Sequence, residues 1–264
     1  MLSNTAHRII HNGADVSFLK SYRSLRATNV CSTQELALMA LSRRIPLHFI
    51  STGGVVAFVP PGQRDGAHLR LAERSVTGFY PPVDGSQGYA ASKWASEVYL
   101  ENLARAMNGL SVWIHRPANI VADDGREDDV PATDLMQNII RFSARIGALP
   151  DVAGTWKGAF DFVSVSDVAR EVVNAVIHPR VPSPANDMPV VYQHHCAGNK
   201  IPVAELRGYL EKRFGVAFAT TGVDAWISQA EVSGTDPVVA VLARNMLTSE
   251  RELILPSLLK GGPQ

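Results

Sequence analysis

Short apolar runs of strand character alternate with longer segments whose apolar residues recur at helical spacing. That alternation limits the chain to an α/β fold with a mainly parallel sheet. The strand-like runs are residues 8–11, 46–51, 111–115, 161–165 and 190–193. Helical patterns cover 22–43, with Leu36, Met39 and Ala40 on one face, and 89–107. Parallel neighbours need crossovers of this length. Residues 60–87 are rich in Pro, Gly and charge and read as a long loop. Arg116-Pro117 is expected to end the strand before it, because proline cannot donate to a ladder.

The second part reads as more helical. Thr133 is placed to cap a helix carrying Leu135, Ile139, Phe142 and Ile146. Ser166 is expected to cap a helix through Ile177, and Pro202 to open one that Gly215 closes. Asp236-Pro237 opens a last helix reaching Met246, and residues 261–264 read as a frayed tail.

Charge and composition narrow the function. With 25 basic and 25 acidic residues the net charge is zero, which offers no basic face for nucleic acid. No apolar run approaches the ~18 residues that a membrane span requires. The N-terminus has no secretory apolar core, so a soluble, cytoplasmic protein is expected. Cys31 and Cys196 read as reduced thiols. His194-His195-Cys196 has no second ligand cluster at zinc-like spacing, so no metal is expected. Trp94, Trp113, Trp156 and Trp226 are widely scattered and read as core residues rather than a binding stripe.

The chemistry-bearing residues are Thr52, Tyr89 and Lys93. Tyr89 and Lys93 are four apart, which puts both on one helix face. An ammonium beside a phenol stabilises the phenolate and lowers the tyrosine pKa, so proton exchange with a substrate oxygen becomes accessible near neutral pH. Thr52, just past a strand end, is placed to bond that oxygen as charge develops on it. Tyr-x-x-x-Lys alone is a weak signal, and a surface pair is the bland alternative. The order favours a site: strand end with Ser51-Thr52, long loop, then a helix opening on Tyr89 and followed by a strand.

These residues resemble the extended short-chain dehydrogenase/reductases of the thioester reductase type. Those are the terminal reductase domains of nonribosomal peptide synthetases and hybrid polyketide–peptide synthetases, and the wording is nearest the fungal hybrids. The resemblance runs through Ile9-Ile10-His11-Asn12-Gly13-Ala14-Asp15-Val16, Leu25-Arg26-Ala27-Thr28-Asn29-Val30 with Thr33, and His48-Phe49-Ile50-Ser51-Thr52. It continues through Gly88 to Glu97, His115-Arg116-Pro117 and Asp161-Phe162-Val163.

The resemblance implies a Rossmann-like, doubly wound sheet in residues 1–120. A smaller, mostly helical substrate region, interleaved with the last strands, is implied in 121–264. It implies Thr52, Tyr89 and Lys93 as the catalytic set, and Asn12-Gly13-Ala14 as the loop along the cofactor. Tyr89, Lys93, Arg116 and Pro117 also border that cofactor, Gly53 and Asn119 border the substrate, and Asn29 helps to hold the site. The region 55–87 and the stretch after Pro131 would border the substrate too. Ala118 stands where the family more often has glycine or serine.

The implied activity is NADPH-dependent release of an acyl or peptidyl thioester, presented by a phosphopantetheinylated carrier protein, as an aldehyde or alcohol. Two alternatives stand beside it: a non-redox Dieckmann-type cyclising release, and a non-catalytic remnant. The family's glycine-rich phosphate turn is not in this sequence. Gly53-Gly54 carries no helix pattern behind it that would substitute. The expectation is therefore an incomplete Rossmann-like sheet, with NADPH binding weak or lost. The strand at 8–11 then becomes an exposed edge, open to self-association.

Overall fold

The computed structural model describes residues 5–63, 70–107, 110–123, 135–152, 154–179, 190–247, 253–255 and 257–261. The chain divides into two compact units. One holds Met1–Ile120, Val163–Cys196 and Pro256–Gln264, and the other holds Val121–Phe162 and Ala197–Leu255.

The first unit is built on a parallel sheet of four strands, β1 (Ile9–His11), β2 (Leu47–Ile50), β3 (Val112–Pro117) and β4 (Val190–His195), in that spatial order. The register pairs Ile9 with Leu47, Leu47 with Val112, and Val112 with Val190. Side chains alternate across the sheet with period two. Ile9, Leu47, Phe49, Val112, Ile114, Val190 and Tyr192 enter one core with Ala37, Ala40, Leu100 and Ala104. Those four residues lie on helices α1 (Ser32–Leu41) and α2 (Gly88–Ala106). The parallel α/β reading of the alternation holds, and the core explains it, since each strand needs a helix to cover it.

The other face carries imidazoles instead. His48 Nδ1 lies 3.0 Å from His115 Nε2, and His115 Nδ1 lies 3.0 Å from His195 Nε2. His195 Nδ1 meets Glu171 Oε2 at 2.7 Å, and Glu171 takes Lys260 Nζ at 2.7 Å on its other oxygen. Glu171 belongs to helix α3 (Val165–Ile177).

Several local expectations need correction. β3 runs through Arg116 and Pro117, with Pro117 opposite His195. The His115 carbonyl accepts from Ser51 N on the β2 side. Pro117 points the same way, past the end of β2 at Ile50, so its missing N–H costs no ladder bond. Ala118 N then donates to the His195 carbonyl at 2.8 Å. Ser164, not Ser166, caps α3, accepting from Asp167 N at 3.2 Å. A 3-10 turn, Gly53–Phe58, does follow Gly53-Gly54, with Thr52 as its cap. The 60–87 segment is less loop-like than its composition suggests. Leu71 and Val76 are fully buried with Val55, Val56, Val59 and Leu258, and Arg70–Leu71 pairs with Ser257–Leu258.

The helix expected over 22–43 is interrupted. Tyr22–Leu25 is α-helical, Arg26–Cys31 opens into a π-turn, and α1 resumes. The second unit packs helices Leu135–Ile146, Leu206–Phe214, Val223–Val232 and Pro237–Leu247 around Trp156 and Trp226. Trp226 Nε1 donates to Ser143 Oγ and to the Ala148 carbonyl. Pro202 ends the short strand Ile201–Pro202 and caps a 3-10 turn, Val203–Glu205, that leads into the expected helix at Leu206. Gly215 closes that helix at φ 70°. Of the strand expected at 161–165, Phe162–Ser164 forms; Asp161 separates it from another strand, Trp156–Phe160, and Val165 already opens α3. Thr133 lies outside the described residues.

Candidate active site

The site is assembled where β2 leaves the sheet and α2 begins. Thr52 is fully extended, at φ −152° and ψ 147°, and its Oγ1 accepts from Gly54 N at 3.1 Å. Gly53 lies so close to the β3 exit that a Cβ would stand 3.1 Å from the Pro117 carbonyl oxygen. A Cβ on Gly54 would touch Thr52 and Ala90. The threonine turn and the first turn of α2 are therefore neighbours.

That first turn is brought in by Gly88. A Cβ there would lie 2.3 Å from the Lys20 carbonyl oxygen, so only glycine lets the helix start against residues 20–22. Lys93, one turn after Tyr89, is 3% exposed. Its Nζ donates to the Ile50 carbonyl at 2.7 Å and lies 4.8 Å from the centre of the Phe49 ring. Burial lowers the ammonium to about 8, and Glu97 pulls the other way. Tyr89 corrects an expectation. Burial pushes its hydroxyl up to about 12, and the lowering by lysine is not realised. Its ring packs edge-on against Phe18 at 5.4 Å.

Asn29 sits in the π-turn, 1% exposed. Its amide donates to Ser92 Oγ and the Asp15 carbonyl at 2.9 Å, and its Oδ1 accepts from Asp15 N at 2.8 Å. It ties the exit of β1 to α2 one residue before Lys93. Asn12 and Gly13 are exposed at that exit, with Ala14 partly so, and a Cβ on Gly13 would meet nothing within 4 Å.

Arg116 departs from its expected place beside a cofactor. It is fully buried, and donates to both oxygens of Glu97 at 3.0 and 2.7 Å and to the Arg74 carbonyl at 2.8 Å. Its guanidinium lies over the Tyr192 ring at 4.7 Å. Pro117 is buried and Asn119 partly buried. Glu97, which sequence reasoning missed, also accepts from Ser51 Oγ. Its signal was the spacing to Lys93, four residues on the same helix. A separate cavity of about 340 Å³, lined by Trp113, Glu171, Asn174 and Gln193, opens on the α3 face. None of Thr52, Tyr89 and Lys93 lines it.

Cys31 and Cys196 are not joined in a disulfide. Among the described residues no helix is long and apolar enough to cross a membrane.

Comparison with known proteins gives the family and the fold. The family model NAD_binding_4, described as male sterility protein, matches residues 1–172. The hybrid PKS-NRPS synthetase LUC5 of a Fusarium species is 47% identical over 260 residues, 98% of this chain. The chain spans 6% of that synthetase's length. Among solved structures, the terminal R domain from the myxalamid PKS-NRPS pathway matches with a TM-score of 0.71 and 26% identity, over 98% of this chain and 61% of that one. The reductase domain of a nonribosomal peptide synthetase from Mycobacterium tuberculosis shares the fold, with a TM-score of 0.67 at 23% identity, over 97% of this chain and 62% of that one.

Proposed function

Since the chain belongs to the NAD-binding male sterility protein family and is a short-chain reductase of the thioester reductase type, we propose that it carries out NADPH-dependent reductive release of a carrier-bound acyl or peptidyl thioester. The product is an aldehyde or, after a second reduction, an alcohol. The observation that carries this reading is the seating of Lys93 on the Ile50 carbonyl, two residues before Thr52 and one helix turn after Tyr89.

The roles follow from the chemistry. The Thr52 and Tyr89 hydroxyls hold the thioester oxygen, and Tyr89 gives it a proton. Reduction consumes a proton, and a tyrosine that burial keeps protonated is in the right state to supply one. Lys93 holds positive charge beside that oxygen and reaches for the nicotinamide ribose. Bound NADPH would supply the hydride to the thioester carbon. Asn12, Gly13 and Ala14 fit its nicotinamide end, because the backbone there is open and a flat group can lie against Gly13. Gly53 and Asn119 border the substrate. Thiol loss from the tetrahedral hemithioacetal then leaves the aldehyde.

The partner is a phosphopantetheinylated carrier domain. A non-redox Dieckmann release needs a base to take a proton, which a tyrosine raised to about 12 serves poorly. Incubation with an acyl-carrier thioester, with and without NADPH, tests the reading. Aldehyde formed only with NADPH supports it, and cyclised product formed without NADPH refutes it.

A further inference from the structure

We propose that Glu97 is a positioning residue of this site: it holds the charge of Lys93 and locks α2 against the strand end that carries Thr52. The proposal rests on the reading above only in taking Lys93 as part of the reacting set.

Lys93 and Glu97 leave the same face of α2, one turn apart. Both are buried, at 3% and 0% exposure. Two successive residues of the β2 exit receive them. The Ile50 carbonyl takes Lys93 Nζ, and Ser51 Oγ donates to Glu97 Oε1. The next residue is Thr52. A slip of α2 along β2 breaks both contacts at once, so the pair fixes where Tyr89 stands relative to Thr52.

From the other side Arg116 of β3 grips the same carboxylate with two N–H groups, at 3.0 and 2.7 Å. A bidentate fork of this kind fixes direction as well as distance. The third nitrogen of the fork is spent on the Arg74 carbonyl. One carboxylate therefore serves two buried cations. For Lys93, burial favours loss of the proton, and Glu97 is the charge that opposes it. Removing the charge of Glu97 leaves burial unopposed.

NMR titration of lysine Cε and Nζ resonances in the 264-residue chain tests this, with the Lys93 signal assigned by its loss in Lys93→Arg. In Glu97→Gln the Lys93 midpoint should fall by about 1 pH unit or more. Glu97→Asp, which keeps the charge one methylene further away, should lie between the parent and Glu97→Gln. Loosening of the fold alone would hydrate Lys93 and move every variant upward, towards the ordinary lysine value of 10.5. A folded Glu97→Gln protein whose Lys93 titrates at or above the parent midpoint overturns the proposal. If Glu97→Gln does not fold, Glu97→Asp decides by the same criterion. Where thioester reduction is measurable, the alkaline limb of kcat/KM should move down with the Lys93 midpoint in Glu97→Gln. A parent chain without turnover counts against the reductase reading and leaves the titration result standing.

Discussion

Tyr89 is partly buried, and desolvation pushes its hydroxyl up to about 12, so it holds its proton as an acid. Tyr89→Phe should lower thioester reduction by about 10²–10⁴-fold. The edge contact with Phe18 survives that change, so the melting temperature should stay near the parent's, and unchanged turnover would remove Tyr89 from the mechanism. Gly88 makes a different demand. Gly88→Ala would set a methyl group 2.3 Å from the Lys20 carbonyl oxygen, and should cost about 3 kcal/mol or more in denaturant unfolding. A loss under 1 kcal/mol would show that the start of α2 is not held against residues 20–22. At this scale the sequence made the helical spacing of Tyr89 and Lys93 legible, and both lie on α2. It was silent on Arg116, whose inward turn depends on Glu97, nineteen positions earlier, and on Tyr192 from another strand. No local pattern around Arg116 records those partners.

The histidines of the sheet give the elements a pH signature. Burial lowers His48 to about 4 and His115 to about 2, and His115 is further lowered by its imidazole neighbours. His195 is lowered by burial against the pull of Glu171, and His11, near Phe49 on the opposite face, is lowered to about 4. Each binds a proton more readily in the unfolded chain, where the ordinary value is 6.5. Their stabilisation is therefore present above pH 6.5 and is lost as pH falls towards 4. Among carboxylates, Asp15 and Glu171 are depressed below ordinary values of 3.8 and 4.5, so their contribution fails only at lower pH. The melting temperature should fall steadily between pH 6.5 and 4.5, and more shallowly in His115→Phe. A flat profile over that window would contradict the buried imidazole chain. The alternation of apolar residues made the strands legible, but the histidine chain was not. It appears only once β2, β3 and β4 are in register, because His48, His115 and His195 are far apart in sequence. The π-turn at Asn29 was equally hidden, and the partners of Asn29, Asp15 and Ser92, lie outside its own helix.

For the whole molecule, the sheet order leaves β1 paired with β2 on one side among the described residues, with Ile10 on it 48% exposed. A strand end of this kind offers unpaired backbone groups to another chain. The 264-residue chain should therefore show a concentration-dependent mass in size exclusion with light scattering. A constant monomer mass would count against an open edge. The fold class was legible because helix–strand alternation is global. The corners were less so, since the buried cluster of Leu71, Val76 and Leu258 joins segments far apart in sequence. The central claim is that Thr52, Tyr89 and Lys93 form one reducing site for a tethered thioester. Its most direct test is product analysis of an acyl thioester on a phosphopantetheinylated carrier, at saturating NADPH. Aldehyde or alcohol should form with matching NADPH oxidation in the parent chain, and neither should form in Tyr89→Phe. Equal NADPH-linked product from Tyr89→Phe, or release with no NADPH consumed, would contradict the account.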